Sequence, residues 1–137
     1  MLLGLGMTKP QRDWIAERTL IEGAGVRRVI VRLERPRQIS KQEWICSVEI
    51  VRGKAKWALD VHGADSVQSL ALAMKAARIR LDSLKSTFTW EFAEAGDTGF
   101  PIYLPDGFGR DFEQRLEAMI EAEVAQLTSR AGHRKRK

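Results

Sequence analysis

Cys46, His62, Asp97 and Tyr103 carry the side chains that could seed a catalytic centre. A thiol becomes a nucleophile only where a neighbouring base or a positive field lowers its pKa. Cys46 sits between Ile45 and Ser47 on an alternating pattern that assigns it to a core face, where a free cysteine behaves as a small apolar residue. His62 carries an imidazole, the side chain that most often serves as a general base. No acid or nucleophile stands at an informative spacing from it. His133 lies far away in the terminal segment, and Cys46 adds no zinc-ligand spacing. These residue types predict no catalytic residue, no metal and no cofactor, so the chain is expected not to be an enzyme.

The remaining candidates are surfaces. Arg28, Arg32, Lys54 and Lys56 fall on the polar phase of two strand patterns, where they could form a basic face for nucleic acid. Single-strand binding also needs aromatic platforms. Trp44 and Trp57 alternate with that face and are expected inside, so an ordinary solvated face is the competing expectation. A second surface is the segment from Gly96 to Gly109, with Gly96, Gly99, Gly107, Gly109, Pro101 and Pro105. Loops on a rigid scaffold often carry function. Asp97, Phe100, Tyr103 and Phe108 either form a protein-contact surface there or fold down to close the core. The glycines make no phosphate loop, since no lysine follows them. Glu113, Glu117 and Glu121 share a helix face at i, i+4 spacing and predict a solvated acidic side.

The elements that must position these residues follow from periodicity. Ile15–Ile21 is a weak strand pattern. From Val26 to Leu33, Val29, Val31 and Leu33 alternate with Arg28, Ile30 and Arg32. Pro36 breaks this run, because proline offers no N–H to a ladder. Trp44, Cys46, Val48 and Ile50 recur at period two, Gly53 supplies a turn, and Trp57, Leu59 and Val61 continue on the return strand. Asp65 and Gln68 then make a capping-box-like helix start. Val67, Leu70, Met74, Ala77, Leu81 and Leu84 form a 3-4 stripe along that helix. Phe88–Phe92 is a further short strand candidate. A second helix is predicted from about Asp111 to Thr128, with Phe112, Leu116, Met119, Ile120 and Leu127 on its apolar side.

The expected fold is α+β: an antiparallel meander of about four or five strands covered by two helices. Residues 14–128 are expected to form one domain. Residues 1–13 would be a flexible extension and 129–137 a disordered basic tail. The chain has 137 residues, enough for a core without staples. It is 44% hydrophobic and 30% charged, with a net charge of +5, so it is a globular composition with a well-solvated surface. The charge is uneven: basic between Arg27 and Trp57, acidic between Glu91 and Glu123, basic again from His133. One cysteine permits no internal disulfide, and no run approaches the length of a membrane span. The N-terminal apolar run lacks the basic segment of a signal peptide. A cytoplasmic protein without membrane contact is expected.

The segments His62-Gly63-Ala64-Asp65-Ser66-Val67-Gln68-Ser69-Leu70, Gly96-Asp97-x-Gly99-Phe100-Pro101 and Phe108-Gly109, with Trp44-Ile45-Cys46 upstream, occur in an order that resembles a family of small uncharacterised bacterial proteins, a domain of unknown function. The resemblance spans about residues 14–127 and implies no activity and no residue roles. Toxin-immunity proteins have a similar general look, which is analogy of fold only. Size, charge and the missing catalytic set together suggest a protein-interaction module, an immunity-type toxin antagonist being one form. The alternative is a nucleic-acid-binding accessory protein using the basic face and tail.

Overall fold

The computed structural model describes residues 12–135, with side chains to residue 132. The expected extension, apart from its last two residues, and the end of the basic tail lie outside the described residues. The chain divides into two compact units, the first ending at Tyr103 and the second beginning at Leu104.

The first unit is an antiparallel sheet with one helix on it, an α+β fold. Its strands are β1 (Trp14–Glu22), β2 (Arg27–Glu34), β3 (Arg37–Ser40), β4 (Glu43–Arg52), β5 (Ala55–Gly63) and β6 (Phe88–Trp90), with α1 (Ser66–Ser83) between β5 and β6. β2 and β3 are one strand interrupted at Pro36. Both pair with β4, β2 through Val29↔Arg52 to Leu33↔Val48 and β3 through Arg37↔Ile45 to Ser40↔Glu43. A proline can break a ladder without ending the strand when pairing resumes after it, which is why β3 escaped the periodicity. β5 lines the other side of β4 along its whole length. β6 returns to pair with β1 through Leu20↔Trp90, a contact between distant segments that no local pattern announces. The β4–β5 turn uses Gly53 at φ 60, as its position in the alternation predicts.

One sheet face carries Leu20, Val29, Val31, Leu33, Cys46, Val48 and Ile50, all buried against α1, with Phe88 and Phe100 closing the core. The Asp65 carboxylate caps α1 by accepting from Gln68 N at 2.7 Å, and the Gln68 amide oxygen accepts from Ala64 N at 2.6 Å. The reciprocal bond therefore falls one residue before the cap, so the box is a variant one. The predicted helical period holds but its phase shifts. The buried line is Ser69, Ala73, Ala77 and Leu81, flanked by Leu70, Met74 and Leu84, while Val67 is 74% exposed. Small residues at the centre let the helix axis approach the sheet closely, so the larger apolar side chains splay to either side. Gly63 belongs to the same close approach: a Cβ there would stand 2.5 Å from Ser69 N.

The second unit contains α2 (Arg110–Lys135), which runs past the predicted end at Thr128. The expected α+β class, an antiparallel sheet with two helices, is the one observed. Among the described residues no helix is long and apolar enough to cross a membrane.

Candidate functional site

β4 and β5 bring Cys46 and His62 close in sequence register but to opposite faces. Cys46 pairs with Val61 and points at α1, whereas His62 pairs with Ile45 on the far face. The sheet itself lies between thiol and imidazole, so they form no dyad. Cys46 is fully buried, and burial pushes its thiol up to about 11, with Glu34 nearby adding to the shift. Its Sγ donates to Glu34 O at 3.2 Å, so it remains a protonated core thiol. The exposed His62 holds Glu43 at 2.7 Å from its Nδ1. Among the described residues no group of three or more His, Cys, Asp or Glu side chains is placed to hold a metal ion.

Three of the predicted cations, Arg28, Arg32 and Lys56, lie on the face opposite α1, and Lys54 sits in the β4–β5 turn. They do not form an unbroken positive patch. The Arg32 Nε donates to Glu17 at 2.7 Å, and its Nη1 stands 3.7 Å from Glu49. Lys56 Nζ is also 3.7 Å from Glu49, whose side chain is only 6% exposed. Arg28 and Lys54 remain exposed. Periodicity placed Arg28, Arg32 and Lys56 on one phase, whereas Lys54 falls in the turn. It missed that Glu17 and Glu49, far apart in sequence, arrive on neighbouring strands of the same face.

The Gly96–Phe100 loop is locked onto the sheet edge. Asp97 O accepts from Trp90 N at 2.9 Å, extending the ladder past β6. The Asp97 carboxylate accepts from Gly99 N at 2.8 Å, a turn of the kind aspartate stabilises. Phe100 is 8% exposed and belongs to the core, and Arg78 donates to its carbonyl at 3.0 Å. Tyr103 is 55% exposed, with Lys75 Nζ 5.9 Å from its ring centroid. Phe108, in the second unit, is exposed and packs on Phe112 with ring centroids 5.2 Å apart. Of the residues singled out from sequence, Phe100 closes the core, Asp97 shapes the loop, and Tyr103 and Phe108 are exposed.

Beneath this loop is a feature the sequence did not single out. Arg18 lies over the Trp90 ring at 4.1 Å and 5.1 Å from the Phe100 centroid, a double cation–π stack. Its Nη1 donates to Thr98 O at 3.2 Å. Gly99, at φ 73, fits beside the stack because it lacks a Cβ, which would stand 2.6 Å from Arg18 Nη1 and 2.8 Å from the Trp90 ring. The stack walls a cleft of about 270 Å³ whose other sides are Val31, Leu33, Met74 and Pro101. Its apolar walls and one guanidinium suit an apolar group with an acceptor; Glu17 at the rim is paired with Arg32. The signal was present in β1, where Arg18 shares the phase of buried Leu20, a charge on the core side of a strand.

The exposed apolar side chains concentrate elsewhere. On α2, Met119 is 67%, Ile120 50%, Val124 54% and Leu127 54% exposed. On the first unit, Leu59 and Ile79 are 44% and 50% exposed beside an apolar groove of about 380 Å³.

The chain matches no curated protein and no solved structure. A family model matches residues 16–102, from within β1 through β6, and stops before α2, so Phe108-Gly109 and the acidic helix lie beyond it. That span is more than half of the chain, and the chain belongs to the family described as a domain of unknown function, DUF6968.

Proposed function

We propose that this chain is a non-catalytic protein-interaction module whose partner covers the apolar side of α2. The observation that carries this is the exposure of Met119, Ile120, Val124 and Leu127, each at least half exposed on one 26-residue helix. Scattered exposed apolar residues need no explanation, but a contiguous stripe marks an interaction site. These residues recur at helical spacing, and Glu113, Glu117 and Glu121 flank them. A partner with an apolar groove and a basic rim fits such a helix, and complementary charge would speed its capture. An immunity-type antagonist that blocks a toxin is one form this module could take.

The test compares capture from native lysate by the full chain and by an Ile120→Glu/Leu127→Glu variant. Glutamate is a good helix former, so α2 persists in the variant. A protein retained by the parent chain and lost with the variant is the expected result. Equal retention by both, or retention by neither, overturns the reading.

A further inference from the structure

β5 is a long, regular edge strand. It pairs with β4 in unbroken register from Arg52↔Ala55 to Trp44↔Gly63, and among the described residues no strand lies on its other side. Natural edges are protected by shortness, charged side chains, proline, bulges or a covering element, and of these β5 carries the charges Lys56 and Asp60. The opposite edge, β6, has such protection: it is three residues long, and Asp97 O occupies the Trp90 N–H. β5 is nine residues long and has no proline and no bulge.

The groove beside this edge points the same way. Trp57 and Leu59 form its floor, and Ala76, Ile79, Arg80 and Ser83 of α1 form its wall. Ala76, Ile79 and Ser83 are spaced i, i+3, i+7, so they share one helix face. Arg80 Nε is buried there without an acceptor, while the guanidinium lies 5.6 Å from the Trp57 ring centroid.

We propose that β5 pairs antiparallel with β5 of a second copy of this chain, joining two sheets across a two-fold axis at Ala58. A two-fold pairing that keeps each side chain on its own face must centre on a residue. Centring on Ala58 sets Lys56 of each copy beside Asp60 of the other, so two opposite-charge pairs form. It also sets Trp57 beside Leu59 on the groove side. Centring on Leu59 would place Lys56 beside His62, and centring on Trp57 would place it beside Ala58 with a shorter overlap. Both side chains are exposed. Lys56 has only a 3.7 Å contact with Glu49, and the Asp60 carboxylate accepts from Ser47 Oγ through one oxygen.

The helices fit the same symmetry. α1 lies over β4 and β5. With strands about 4.8 Å apart, helices seated over the β4–β5 pair in both copies would have axes about 10 Å apart. That is the ordinary packing distance of two helices. Ala76 and Ser83 are small enough to permit the approach, and the half-exposed Ile79 would fill the space between.

Sedimentation velocity on the full chain tests this, with a thermal melt of each variant confirming that it folds. A dimer at micromolar concentration is expected. Lys56→Asp alone, or Asp60→Lys alone, creates two like-charge pairs and should raise the dissociation constant at least about tenfold. The double variant Lys56→Asp/Asp60→Lys restores opposite pairs and should return to within about threefold of the parent chain. Ile79→Glu, at an exposed site, should also separate the copies. A parent chain that stays monomeric to about 100 µM overturns the proposal. So does a double variant no better than the singles, or a dimer that only the α2 variant Ile120→Glu/Leu127→Glu disrupts. The α2 reading stands or falls on its own capture experiment, independently of this one.

Discussion

Arg18 and Glu22 alternate in phase with Leu20, so both approach the side of the sheet that holds the core. Each is retained there by a different device. Arg18 spreads its charge over two aromatic faces, whereas Glu22 is held by a bidentate pair, Arg52 Nε and Nη2 donating at 2.8 and 2.9 Å, with Ser86 Oγ adding a third bond at 2.9 Å. The Arg52 hydrogen bonds, and then Ser86, hold the Glu22 carboxyl down to about 2, against an ordinary value of 4.5. The unfolded chain therefore binds a proton at Glu22 more readily than the folded one. The stability contributed is fully present above about pH 4.5 and is lost as pH falls toward 2. Glu22→Gln should lower the melting temperature at pH 7 and flatten its fall between pH 4.5 and 2; melts across that range check it. An unchanged acid limb would show that this carboxylate does not carry the pH dependence.

At the scale of elements, β5 and α1 meet at a close junction. Gly63 ends β5 against the first turn of α1, and a methyl group there would meet the Ser69 backbone at 2.5 and 2.8 Å. Backbone in a capped helix turn cannot yield as a flexible side chain can. Gly63→Ala should therefore cost about 1–3 kcal/mol, read as a shift in the denaturant midpoint at unchanged slope. A neutral result would mean that the strand and helix separate at little cost. The sequence marks this junction through Asp65 and Gln68 but conceals its closeness, because the buried helix residues Ser69 and Ala73 are not ones the apolar stripe selects. The cap could be read locally; the depth of packing depends on what the helix meets.

For the whole molecule, the distribution of charge bears on the nucleic-acid alternative. The folded face offers Arg28 and Lys54, while Arg32 and Lys56 are engaged by Glu17 and Glu49. The chain beyond Thr128 contributes Arg130, Arg134, Lys135, Arg136 and Lys137 close together in sequence. Oligonucleotide binding, measured by anisotropy at several salt concentrations, should thus be weak and should fall at least about tenfold on truncation after Thr128. Submicromolar binding that survives truncation would restore the sheet face as a nucleic-acid surface.

The sequence by itself determined the strands whose apolar residues alternate, the Gly53 turn, the Asp65 cap and the period of both helices. Each depends on neighbours within a few residues, where backbone geometry dictates the repeat. Only the tertiary structure decided the rest. It showed β3 resuming past Pro36, β6 pairing with β1, Phe100 in the core, Arg18 stacked beneath Gly99, and Glu49 between Arg32 and Lys56. These are meetings of residues far apart along the chain. Periodicity assigns a side chain to a face, but strand order and register select its neighbours on that face, and those neighbours set its charge, exposure and chemistry.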